Sequence, residues 1–139
     1  MNTSMTRLVF AVLAAAVLSA GAAAAEHKGL AGTSWQLLQL GPNGALSENL
    51  PTLAFSTDGK VSGSGGCNTF TGTVTISGKT IKFGALAATK KACSDEVNAQ
   101  EAAYFNALEQ AHTFEMRATS LLINTKAFNE PLSFVPPKG

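Results

Sequence analysis

The chain has 139 residues, 10 of them basic and 9 acidic, for a formal charge of +1. That length suits one domain with one modest core. Neutralising a phosphate backbone takes clustered Lys and Arg, and Lys90-Lys91, followed closely by Asp95-Glu96, is the only adjacent basic pair, so nucleic acid is not an expected partner.

The chain opens MNTSMTRLVFAVLAAAVLSAGAAAAEHKG. Arg7 precedes an uncharged apolar run from Leu8 to Leu18, and small residues end at Ala23-Ala24-Ala25. A charged start, an apolar middle and an Ala-x-Ala site read as a secretory signal peptide over residues 1–25, cleaved after Ala25. The apolar run is short of the roughly 20 residues that a membrane helix needs, so no stable membrane span is expected. Gly21 stands where a lipoprotein would carry its cysteine, which argues against lipid anchoring. Removing 25 of 139 residues leaves 114, and without Arg7 the basic and acidic residues balance at 9 each. The expectation is a neutral, monomeric periplasmic domain over residues 26–139.

Beyond the leader, short alternating stretches dominate. Ser34–Leu40 reads as a first strand, followed by turn chemistry in Gly41-Pro42-Asn43-Gly44. Thr52–Ser56 and Val61–Ser64 flank Asp58-Gly59, a hairpin signal. Thr73–Ile76 and Thr80–Phe83 form a second hairpin across Ser77-Gly78. One segment departs from this period. From Asp95 to His112, Val97, Tyr104, Phe105, Leu108 and Ala111 recur on one helical face. Ser94 or Asp95 can cap the start, Asp95 and Glu96 suit the positive end of the dipole, and His112 suits the far end. Thr113–Met116, Leu121–Asn124 and Leu132–Phe134 read as three further strands, and Pro136-Pro137 stops pairing. The expected fold is α+β and mostly β: a curved, partly open, barrel-like antiparallel sheet of short strands with one main helix packed on it.

The stretch VSGSGGCNTFTG, Val61–Gly72, invites a catalytic reading and does not sustain one. A phosphate-binding loop needs Gly-Lys-Ser/Thr opening a helix, whereas these glycines end in Cys67-Asn68 before a strand. The dinucleotide fingerprint fails for the same reason. Neither Ser62 nor Ser64 is flanked by glycines two residues before and two after, as a hydrolase elbow requires. The structural reading is a bend: glycines that permit positive φ and close backbone approach, with Asn68 turning back on its own backbone. Such a bend can also present amides to an anion.

Cys67 and Cys93 are the chain's two cysteines. In an exported protein an even pair reads first as a disulfide, here closing a loop of about 26 residues and contributing roughly 3–4 kcal/mol in the chain-entropy model. Two free buried thiols, or metal or redox chemistry, are the alternatives. The histidines are only His27 and His112, a poor complement for a metal site.

Gly59–Gly72, GKVSGSGGCNTFTG, resembles the signature of the META domain family of HslJ-like bacterial heat-shock and envelope proteins. Phe83-Gly84, Leu86–Thr89, the spacing from Thr89 to Cys93, and Glu101–Phe105 with Leu108 continue the pattern. Gly32–Trp35 and Pro51–Phe55 match its first strands. The resemblance spans about Gly32 to Phe134. It implies a β-rich domain with a helix on a curved sheet, exported or envelope-associated, linked in some members to heat shock and novobiocin tolerance. Gly65, Gly66, Cys67, Asn68, Thr89 and Cys93 carry over as signature positions. The family supplies no catalytic residues, cofactor or metal, so none is expected here. The expected function is non-catalytic binding of a protein or envelope component under stress. The alternative is a carrier of a small apolar ligand, with Trp35, Phe55, Phe83 and Phe105 lining a cavity between sheet and helix. An enzyme would have to draw on Asp58, Glu101 and His112; Glu101, which interrupts the helix's apolar face, is expected to reach a backbone amide or the Lys90-Lys91 segment.

Overall fold

Alternating apolar residues need a surface to cover, and in a computed structural model describing residues 29–138 they cover one another. The strands are β1 (Ser34–Leu40), β2 (Asn43–Gly44), β3 (Thr52–Phe55), β4 (Lys60–Ser64), β5 (Thr69–Ser77), β6 (Thr80–Phe83) and β7 (Ala87–Ala88). After α1 (Asp95–Glu109), the single helix among the described residues, come β8 (Ala111–Arg117), β9 (Ser120–Thr125) and β10 (Leu132–Val135). All pairings are antiparallel, in the order β10-β9-β8-β6-β5-β4-β3-β1, and β1 pairs β10 to close an eight-stranded, barrel-like ring. Full closure removes the open edges that make isolated sheets prone to aggregation. β2 attaches to β1, and β7 attaches to β5. The signal-peptide reading lies outside the described residues.

Each strand turns alternate side chains inward. Leu53 and Phe55, Val61, Phe70, Ile81 and Phe83, Leu121 and Ile123, and Leu132 and Phe134 are all buried. β1 keeps this rhythm through Leu37, then slips: its register against β10 shifts between Leu37 and Gln39. The irregularity returns Leu40 to the core and leaves Leu38 51% exposed.

Helix α1 starts where Ser94 caps it, its side chain accepting a hydrogen bond from the Val97 amide, with Asp95 and Glu96 in the first turn. Val97, Glu101, Tyr104 and Leu108, spaced three or four residues apart, face inward. Tyr104 is fully buried, donates its hydroxyl to the Thr52 carbonyl at 3.0 Å, and meets Phe70, Phe105 and Phe134 at ring separations of 6.1, 6.1 and 6.3 Å.

Besides shifts of one or two residues at strand ends and the unexpected β7, three differences from the sequence expectation stand out. The helix ends at Glu109, because Ala111 already pairs with Thr125, and His112 is an exposed residue of β8 rather than a helix terminus. β5 begins at Thr69, four residues early, because Thr69–Thr73 completes a five-pair hairpin with β4. Asn43-Gly44, expected only as a turn, also pairs back onto Gln39 and Leu40.

Candidate functional site

With β4 and β5 paired up to Ser64 and Thr69, the glycine-rich stretch shrinks to a tight connection, Gly65–Asn68. The Gly65 amide donates to the Asn68 carbonyl at 2.9 Å, and Gly66 takes φ +117°, a conformation that side-chain-bearing residues rarely adopt. Gly65 has a second constraint: a Cβ there would lie 2.5 Å from Cγ of Glu101. The loop is glycine because the helix presses a carboxylate into it.

Glu101 is 7% exposed and is aimed at the loop's amides. Its Oε2 accepts from the backbone N–H groups of Cys67 at 3.0 Å and Asn68 at 2.5 Å, and its Oε1 accepts from Nδ2 of Asn68 at 2.6 Å. Among the described residues no cation pairs with it. Desolvating a carboxylate is costly, and here three N–H donors replace the lost water. The amide nest of the bend is therefore occupied by the protein's own anion.

Asn68, 5% exposed, does not turn back on its own backbone as expected; it reaches across to the chain ahead of the helix. Its Nδ2 also donates to the Lys91 carbonyl at 3.1 Å, while its Oδ1 accepts from the Lys91 amide at 2.7 Å and the Thr89 hydroxyl at 2.8 Å. Thr89 in turn accepts the Thr69 amide on its hydroxyl at 3.2 Å. Cys67 and Cys93 are bonded, with their Cα atoms 6.1 Å apart. The signature positions thus converge on one brace that ties the β4–β5 connection, the 89–93 segment and the helix together.

The other singled-out residues do not join them. Trp35 is buried and donates its indole N–H to the Thr33 hydroxyl at 2.8 Å. Phe55 and Phe83 are buried with ring centres 6.3 Å apart, and half-buried Phe105 packs edge-on to Phe70 at 5.3 Å. Asp58 sits exposed on the β3–β4 turn, its carboxyl held below the usual range by the Ser56 hydroxyl and then by Lys60. Asp58, Glu101 and His112 lie on separate elements, and among the described residues no hydrogen bond or ion pair joins any two of them. No group of three or more potential metal ligands occurs among those residues either.

Sequence reasoning missed a second place altogether. Neighbours around the ring share between two and six matched residue pairs, except β6 and β8, which share one, Thr80↔Thr113. Beside this seam opens a cleft of about 700 Å³. Thr75, Thr80 and Lys82 line it from β5 and β6, and Gln110, His112 and Lys126 from beyond the helix end. No sequence period signals it, because it arises from where the ring fails to pair fully.

A META domain family model matches residues 28–138. The chain belongs to the META domain family. Among solved structures it is similar to a protein from Burkholderia xenovorans determined by NMR, at 25% identity and a TM-score of 0.66, with 91% of this chain and 96% of that one covered. A second NMR structure is 23% identical with a TM-score of 0.64, covering 77% of this chain and 91% of that one. The crystal structure of a DUF4847 family protein from Bacteroides vulgatus shares the fold at 19% identity and a TM-score of 0.55, over 79% of this chain and 96% of that one. No curated protein matches the chain.

Proposed function

We infer that this META domain is a non-catalytic, HslJ-like exported protein that binds a protein or another envelope component in the periplasm, in a stress-related role. The observation that carries this reading is a contrast within the ring. The signature residues, where a reaction centre would be sought, spend their hydrogen-bonding groups on one another, while the β6–β8 seam leaves open a cleft of mixed polar and apolar lining. Among the described residues no buried side-chain nitrogen or oxygen lacks a partner, whereas reactive sites tend to keep polar groups poised for a substrate. A disulfide suits an oxidising compartment, and no helix among those residues is long and apolar enough to cross a membrane. The carrier alternative is less favoured because Trp35, Phe55 and Phe83 are part of the buried core and Phe105 packs against it.

A photo-cross-linking residue at position 82, compared with one at exposed Glu115, tests the reading in the periplasm of the host before and after heat stress. Capture of a defined envelope component from position 82 alone is the expected result. Equal labelling at both positions, or a chain that stays in the cytoplasm, would overturn it.

A further inference from the structure

The cleft at the seam carries a charge pattern that specifies its ligand further. Lys82, on β6, and Lys126, just after β9, both line it, and both are exposed. The ion pairs among the described residues are Lys60–Asp58 and Arg117–Glu115, so neither cleft lysine is neutralised by a carboxylate. One acidic residue, Glu109, also lines the cleft, leaving an excess of one positive charge even with His112 neutral. Thr75 supplies a hydroxyl and His112 an imidazole, while the Thr80 hydroxyl already donates to the Ser77 carbonyl at 2.7 Å and Nε2 of Gln110 to Oδ1 of Asn106 at 2.9 Å, which leaves their oxygens as acceptors. Beneath the cleft, Ile81 and Ala111 are buried in the core. The volume falls within the roughly 300–1,000 Å³ of small-molecule sites.

We propose that the cleft between β6 and β8 binds a small carboxylate anion that also bears hydroxyl or amide groups. This rests on the binding reading above and names the chemistry of its ligand. The two ammonium groups attract the carboxylate, with lysine acting as a mobile point charge rather than a planar fork. The Thr75 hydroxyl and the oxygens of Thr80 and Gln110, which accept, fix the neutral polar part. Glu109 opposes the anion, so affinity is modest and the site favours ligands whose charge sits away from the helix end. Two envelope sources share this chemistry: an acidic sugar unit, and the free carboxyl end of a short peptide.

The test titrates ¹⁵N-labelled protein, residues 26–139 with the disulfide intact, at constant ionic strength with D-glucuronate, with N-acetyl-alanyl-alanine, and with neutral D-glucose. Saturable shifts at Thr80, Lys82, His112 and Lys126 with either carboxylate, but not with glucose, are expected, and the probe that binds identifies the source. Lys82 and Lys126 are exposed, so K82Q and K126Q should leave the rest of the spectrum unchanged while weakening binding several-fold each. E109Q should tighten it a few-fold, a change of sign that a merely structural role would not produce. Linear, unsaturable shifts, equal response to glucose, or indifference to all three substitutions would overturn the proposal. If the carboxylates fail while position 82 still cross-links an envelope component, the anion chemistry falls and the binding reading stands. If both fail, both fall.

Discussion

Replacing Glu101 by alanine removes the acceptor of three hydrogen bonds at once: two from the backbone N–H groups of Cys67 and Asn68, and one from the Asn68 side chain. Each stranded buried donor costs about 1–3 kcal/mol. Against this, the variant no longer desolvates a carboxylate, and water can enter the vacated volume and recover part of the loss. A net destabilisation of about 3–5 kcal/mol follows. Single domains have about 5–15 kcal/mol in total, so the variant should fold but melt some 12–30 °C lower. Urea denaturation of wild type, Glu101→Ala and Glu101→Gln measures this directly. Glutamine keeps one acceptor oxygen but turns an NH₂ toward N–H donors, so it should recover less than half of the loss. A cost below about 1 kcal/mol for Glu101→Ala would refute the reasoning and release Glu101 for a functional role.

Four other substitutions or conditions probe the same frame. Gly65→Ala puts a Cβ against Cγ of Glu101 and should cost about 2–4 kcal/mol by chemical denaturation; a neutral result would show that the helix does not press on the loop. Reducing Cys67–Cys93 restores loop entropy to the unfolded chain and should lower the melting temperature, by an amount matching roughly 3–4 kcal/mol at most; an unchanged melting curve under full reduction would remove its stabilising role. Trp35→Ala vacates a buried site and should cost about 3–5 kcal/mol, whereas an effect under about 0.5 kcal/mol would place Trp35 at the surface. Burial holds the Tyr104 phenol well above its ordinary pKa of 10.0, so its stabilising contribution is complete below pH 10 and is lost as the pH climbs toward the raised value. Tyr104→Phe should lose about 1 kcal/mol at neutral pH with the hydrogen bond to Thr52, yet resist alkaline unfolding better than wild type; an unshifted alkaline midpoint would contradict this.

Most of the ring was legible because its strands alternate cleanly, and a buried face fixes register through a period of two. Leu53 and Phe55 or Ile81 and Phe83 can be assigned inward from sequence alone. Two-residue strands such as Asn43-Gly44 and Ala87-Ala88 carry no period and become visible only when a neighbour pairs with them. The helix ran three residues too long in the sequence reading because Ala111 continues its apolar face, while a strand partner 14 residues downstream, Thr125, claims that position in the fold. The signature loop was legible as architecture, and Glu101 stood out as a polar residue on an apolar face. What the sequence withheld was the direction of Asn68: its partners lie more than 20 residues away, and local turn chemistry offered a nearer alternative. The seam cleft was illegible in principle, because it depends on where a closed ring runs short of hydrogen bonds.

The hydrogen bonds of the signature loop make it an internal brace, and the proposed recognition surface is the β6–β8 seam. The most direct test is a ¹⁵N correlation spectrum of the domain with and without an envelope extract of its host. Perturbed amides are expected along β6, the start of β8 and Lys126, with Gly65, Gly66, Cys67, Asn68 and Thr89 unmoved. Perturbation centred on those five signature residues, with a silent seam, would contradict it.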